Sequence, residues 1–207
     1  MDKPGFHLDE DVLSGSSPAN KVPYLNHGKQ VARNRAGIWF CGFIFDRAFH
    51  DRNWLALAVS DTPQQEGSEF EPAILLLGRS EPHLPAVLPY AGGFLNNCCL
   101  LLDDNDCLHV IYEQENGIHV IRADASGKNV RNRLAKVASW AKPKRLTEAG
   151  SALGDAALLS PGRVVIYYAH QGTLFEKTVN DSAKAICKNA THPTVHIDEN
   201  RTRHVAF

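Results

Sequence analysis

The chain has no excess of charge of either sign: 22 Lys and Arg stand against 23 Asp and Glu in 207 residues. That balance removes the electrostatic case for nucleic acid or an anionic membrane as partner, because both reward a basic surface. No apolar run approaches the roughly 18 residues of a membrane-spanning helix. The opening Met1-Asp2-Lys3-Pro4-Gly5 lacks a basic segment followed by an apolar one. No secretion leader is therefore read, and a cytoplasmic location is the default expectation. Gly92-Gly93 is not followed by a phosphate-binding lysine or a Gly-x-Gly-x-x-Gly run, so no nucleotide cofactor is expected. The five cysteines are an odd number without two closely spaced ligand pairs. Cys107 and His109 share a strand face, but Cys98 and Cys99 point to opposite faces, so buried thiols are expected rather than a metal site or a disulfide framework.

What the chain does contain is a repeated strand–turn–strand unit. Cys98 to Leu102 has no polar residue, as in a strand covered on both faces. Asp103 to Asp106 is turn chemistry, and Leu108 to Tyr112 is apolar again apart from His109. Aligning Tyr112 with Phe207 matches the last stretch without a gap: Asp103 falls on Asp198, Asn105 on Asn200 and His109 on His204. Gly154 to Tyr168 is a third copy and Gln30 to Phe43 a fourth. All-strand repeats spaced by roughly 40 to 70 residues point to propeller blades.

The rest of the chain fits that plan. Residues 1–23 are polar and read as an extended lead-in, and residues 24–207 as one domain. The first blade takes Val31 to Asn34, Ile38 to Phe45, Trp54 to Val59 and Phe70 to Leu77, with Pro72 tolerated because the last strand is an edge. The second adds Gly117 to Arg122 and an outer strand at Trp140 to Leu146; the third adds Gly172 to Thr178 and a weak outer strand around Ala183 to Cys187. The acid-free basic segment Lys128 to Arg145 reads as a solvated loop. A last blade opens at His192 and has two strands by Phe207. The expectation is an all-β, partial β-propeller of about three and a half four-stranded blades. It is either a piece of a larger ring or an array completed by self-association with another copy.

His192-Pro193 followed by Asp198 and His204-Val205-Ala206-Phe207, together with Gly117 to Asp124 and Trp140 to Leu146, resembles the blades of the sialidase-like, bacterial-neuraminidase-repeat propellers. The resemblance spans about Gln30 to Phe207. It implies a ring of about six blades that acts on or binds a glycan, with glycoside hydrolysis as the reaction if the protein is an enzyme. The family's aspartate box, Ser-x-Asp-x-Gly-x-x-Trp, has only a distant counterpart at Asp124 to Val130, with different spacing and no Trp. Nor does the chain carry the family's Arg-Ile-Pro-like motif, so no arginine triad or nucleophile is transferred.

In this architecture ligands bind near the axis, on the face formed by the loops between second and third strands and between successive blades. Asp46, Asp51, Glu113 and Asp155 are the candidate carboxylates there, since glycoside hydrolysis needs two such groups across the scissile bond. His27, Lys29, Arg47, His50, Arg52, Asn96, Asn97, His170 and His192 are the candidate ligand-binding residues, offering the planar and charged groups that pair with sugar hydroxyls. Two readings follow: a glycan-processing enzyme, or a non-catalytic propeller that binds glycan or protein.

Overall fold

The computed structural model describes residues 29–46, 53–60, 70–78, 86–88, 95–190 and 193–207. Three four-stranded antiparallel sheets and one two-stranded sheet follow one another along the chain. The first contains β1 (Val31–Arg33), β2 (Trp39–Asp46), β3 (Asn53–Ser60) and β4 (Phe70–Leu77). The second has β5 (Leu95–Leu102), β6 (Cys107–Gln114), β7 (Gly117–Asp124) and β8 (Lys144–Arg145). The third has β9 (Ala152–Ser160), β10 (Arg163–His170), β11 (Thr173–Thr178) and β12 (Lys184–Lys188), and the fourth β13 (Thr194–Ile197) and β14 (Arg203–Ala206). Within every sheet the strands pair in sequence order, as propeller blades do. The innermost strands β1, β5, β9 and β13 meet their neighbours from blade to blade.

Successive blades are joined by apolar layers. Phe40, Leu55, Leu57, Ile74 and Leu76 of the first blade pack with Leu100, Leu108, Val110 and Tyr112 of the second. Cys99, Ile111, Ile118 and Val120 face Ala156, Val164, Ile166 and Tyr168 of the third. The last layer is small: Ala157, Val165 and Tyr167 against Val195, with Ile197 and Val205 half-buried beside it. These residues alternate with others that are also buried, because each interior blade is covered on both sides; this is why Cys98 to Leu102 reads as an unbroken apolar run. Gly42, on β2, faces this packing without a clash: a Cβ there would lie in ordinary van der Waals contact, 3.6 Å from Leu100. Gly42→Ala should therefore raise stability by up to about 1 kcal/mol through the unfolded chain's lost freedom, seen as a higher urea midpoint; a lower midpoint would show a tighter layer. Gly154 is the opposite case, since a Cβ there would overlap the Pro193 ring. Glycine lets the third and fourth blades approach at this point.

The turn between first and second strands repeats in atomic detail. Asp103 Oδ1 accepts the amides of Asn105 and Cys107 at 2.9 and 3.0 Å, and its Oδ2 meets His109 Nε2 at 3.3 Å. Asp198 does the same with the Thr202 amide at 2.8 Å and His204 Nε2 at 3.0 Å. In the first blade Asn34 Oδ1 takes the place of the carboxylate and accepts Ile38 N at 2.8 Å. Each turn contains one residue in the left-handed region, Gly37, Asp106 or Arg201. The third blade turns more tightly, through Gly162, and donates the Gly162 amide to Asp103 Oδ2 at 2.9 Å.

The main departure from the sequence reading lies between β7 and β8. Lys128 to Arg145 is not wholly loop: it contains α1 (Arg131–Leu134) and a 3-10 turn at Val137–Ser139. Val130, Leu134 and Trp140 are buried, and Trp140 Nε1 donates to Leu134 O at 2.7 Å. The outer strand is correspondingly short, two residues plus a bridge from Ala123 to Trp140.

Candidate functional site

An innermost strand pairs with only one neighbour in its sheet, so its other edge carries backbone groups that need partners from elsewhere. Side chains singled out from the sequence supply them. Leu153 at the start of β9 is held by the second blade at both polar groups: its amide donates to Glu113 Oε2 at 2.7 Å, and its carbonyl accepts Asn97 Nδ2 at 2.7 Å. Asn96 Nδ2 closes the other Glu113 oxygen at 2.9 Å. Val195 at the start of β13 is held in the same way. Its amide donates to Asp155 Oδ2 at 2.9 Å, and its carbonyl accepts Lys29 Nζ at 3.0 Å. Lys29 also meets Asp155 at 3.3 Å and Ala156 O at 3.0 Å, while its own carbonyl accepts the Leu100 amide. This one residue thus bonds to the second, third and fourth blades.

The site residues therefore fall into three groups. Lys29, Asn96, Asn97, Glu113 and Asp155 form the inter-blade clamps. His170 stands apart from them, with Nδ1 3.4 Å from Ser151 Oγ and Nε2 3.3 Å from Glu148. His27, Arg47, His50, Asp51, Arg52 and His192 lie outside the described residues, as does the side chain of Asp46, whose backbone pairs with Asn53.

The chemistry open to the two described acids follows from this geometry. Burial pushes the Glu113 carboxyl up from its ordinary value, against the Asn96 and Leu153 donors that pull it down. An elevated carboxyl suits a general acid. Yet Glu113 and Asp155 are both buried, and every carboxylate oxygen already accepts a hydrogen bond within the protein. Because the folded chain holds the Glu113 proton more tightly than the unfolded one, this group contributes stability below about pH 4.5 that is lost as pH rises through its raised value. Glu113→Gln keeps the acceptor for Leu153 and, with Asn96 turned over, both bonds. It should match or exceed the wild type by about 1 kcal/mol near neutral pH and lose that advantage toward pH 4. Urea titrations at the two pH values check this.

Asp103, Cys107 and His109 bring one ligand-type atom each to within 4.8 Å of one another. Asp103 is already saturated by four donors. The same Asp-to-His contact recurs at Asp198 and His204, where Thr202 replaces the cysteine. The contact is thus a property of the turn. Burial lowers the His109 pKa, and Asp103 opposes the shift. The neutral Nε2–H tautomer assigned from this contact leaves only an acceptor, Nδ1, without a partner.

One feature along the innermost strands was not singled out from the sequence. The innermost strands line a groove of about 390 Å³ whose wall includes Lys29, Arg33, Leu102, Leu158, His196 and Ile197. Arg33, Leu102, Leu158 and Ile197 occupy one repeat position, immediately before or near the turn, so the alignment of the four copies held the signal. Arg33 is exposed, with its guanidinium 5.6 Å from the Trp39 ring centre.

Fold and groove together define an all-β blade-repeat protein. No family model and no curated protein matches the chain. Among solved structures it is similar to the crystal structure of a protein of unknown function from Dyadobacter fermentans DSM 18053, with a TM-score of 0.52 and 11% identity over 78% of this chain. The match covers 42% of that protein. At this identity the likeness speaks for the fold alone.

Proposed function

We propose that this chain is a sialidase-like repeat module that binds an acidic glycan in its axial groove without turning it over. The observation that carries the reading is the commitment of Glu113 and Asp155 to backbone amides of the next blade. Acids used this way hold the scaffold and have no free oxygen for a glycosidic bond. The groove offers apolar walls at Leu102, Leu158 and Ile197 for the carbon face of a sugar ring. Arg33 beside them offers a planar cation for a sugar carboxylate.

The test is binding of oligouronates and neutral oligosaccharides by calorimetry, with chromogenic glycosides and uronate polymers assayed for turnover in parallel. Oligouronate binding that weakens about tenfold in Arg33→Ala, without turnover, is the expected result. Turnover, or binding indifferent to Arg33, contradicts it. The second reading, glycoside hydrolysis, is favoured by the raised Glu113 carboxyl and would rest on Asp46 or Asp51 as its partner. Turnover abolished by Asp46→Asn or Asp51→Asn would establish it.

A further inference from the structure

Two turns of the protein share one construction and differ at one position. Asp103 and His109 meet across the first hairpin of the second blade, and Asp198 and His204 do the same in the fourth. Cys107 stands between them in one copy and Thr202 in the other. The Asp-to-His contact belongs to the turn; the thiol is what the second blade adds to it. Cys107 and His109 lie two apart on β6 and so share a face. Cys107 Sγ, a ring nitrogen of His109 and a carboxylate oxygen of Asp103 all lie within 4.8 Å of one another.

We propose that Asp103, Cys107 and His109 bind a zinc ion, which takes the place of the proton held between His109 Nε2 and Asp103 Oδ2. One oxygen, one sulfur and one imidazole nitrogen form a ligand set suited to zinc. Nε2 and Oδ2 are 3.3 Å apart. Tetrahedral zinc holds a nitrogen and an oxygen ligand about 3.3 Å apart, so the ion enters beside this contact without spreading it. The sulfur needs to stand about 3.6 Å from each, within a side-chain adjustment of its place. The carboxylate is oriented in advance: the Asn105 and Cys107 amides hold Oδ1, and the Gly162 amide of the third blade holds Oδ2. Charge balances as well. One carboxylate and one thiolate neutralise the divalent ion, as burial of Asp103 and His109 demands. Across β7, Arg122 opposite His109 and Asp124 opposite Cys107 add one charge of each sign. Cys107 is only half-buried, which opens the cluster to solvent and leaves a fourth position for water. On binding, the thiol proton passes to solvent and the imidazole proton moves from Nε2 to Nδ1. Nδ1 has no partner in the protein. Such a lack costs a metal site about 10–100-fold in affinity, so zinc here exchanges with chelators. All three ligands belong to one four-stranded blade, and neither this site nor the glycan groove depends on the other.

The test uses the full chain, stripped with a chelator and dialysed, with zinc chloride or cobalt chloride alone as the probe. Calorimetry should show one zinc per chain and release of about one proton, read from the dependence of the heat on buffer ionisation. Cobalt should give a thiolate-to-metal absorption band, and zinc should shield Cys107 from iodoacetamide in a peptide map. Cys107→Thr, which copies the residue of the fourth-blade turn, should weaken zinc at least about hundredfold and erase the band. Cys187→Ser should change neither. Three outcomes overturn the inference: no shielding of Cys107 by zinc, cobalt binding without a thiolate band, or zinc affinity unchanged in Cys107→Thr. The first two are read on the unsubstituted chain, so they decide the matter even where Cys107→Thr fails to fold. Circular dichroism of that variant separates a lost site from a lost fold.

Discussion

Replacing Asp155 by alanine is expected to cost about 3–5 kcal/mol, and roughly 6–20 °C in Tm for a domain of this size. The side chain is 2% exposed and its two oxygens serve different elements. Oδ1 accepts the Ala156 amide at 2.7 Å and Oδ2 the Val195 amide at 2.9 Å. Truncation leaves both donors unmatched in the interior and removes the counter-charge of Lys29, which keeps only its two carbonyl partners. Leaving buried donors unsatisfied is costlier than a missing hydrogen bond alone. Lys29→Met should cost less, because the lysine side chain is 42% exposed and already partly solvated. The two substitutions should be non-additive in a double-mutant cycle, since they share one cluster. Urea unfolding of the two single variants and the double variant supplies the numbers; strict additivity would mean that the ion pair does not couple the blades.

The second large effect concerns the repeated turn. Asp103→Ala should destabilise by about 3 kcal/mol, because it strips the acceptor from Asn105 N, Cys107 N, His109 Nε2 and Gly162 N, the last belonging to the next blade. Asp198→Ala removes the same local bonds from a turn whose carboxylate has no bond to another blade among the described residues, and should lose far less. Burial alone would raise the Asp103 carboxyl, but the donors from Cys107, His109, Asn105 and Gly162 outweigh it and hold the group below its ordinary value. Asp103 therefore contributes stability that is present above about pH 3.8 and lost as pH falls through the lowered value. Asp103→Ala should accordingly flatten the acid limb of the stability curve. Equal losses at Asp103 and Asp198 would show that local turn geometry, rather than contact between blades, sets the cost.

The blades were legible because their cause is local. Period-two strands, the Asp103 and Asp198 turns and the apolar third strand at Trp54 to Val59 are all properties of short windows, and Phe70 to Leu77 has the limits read from the sequence. The short helix at Arg131–Leu134 was masked by its setting among seven basic side chains. Its only signal was the pair Val130 and Leu134, spaced to share a helical face and both buried. Five of the candidate site residues do gather at the blade junctions, but their role could not be read. Whether Asp155 meets substrate or the Val195 amide depends on contacts between strands some forty residues apart, and Lys29 reaches 126 residues along the chain to Asp155. A charged loop residue and an inter-blade clamp look alike in one dimension; only the edge of each inner strand left unpaired within its sheet, a consequence of the assembled fold, distinguishes them.

The account turns on acidic side chains that secure the first residues of the inner strands to the preceding blade. Residue-resolved hydrogen exchange of the Leu153 and Val195 amides is the direct measurement. In the wild type both should exchange only through global unfolding, with Leu153 selectively faster in Glu113→Ala and Val195 selectively faster in Asp155→Ala. Rapid exchange of both amides in the wild type, unaltered by either substitution, would contradict it.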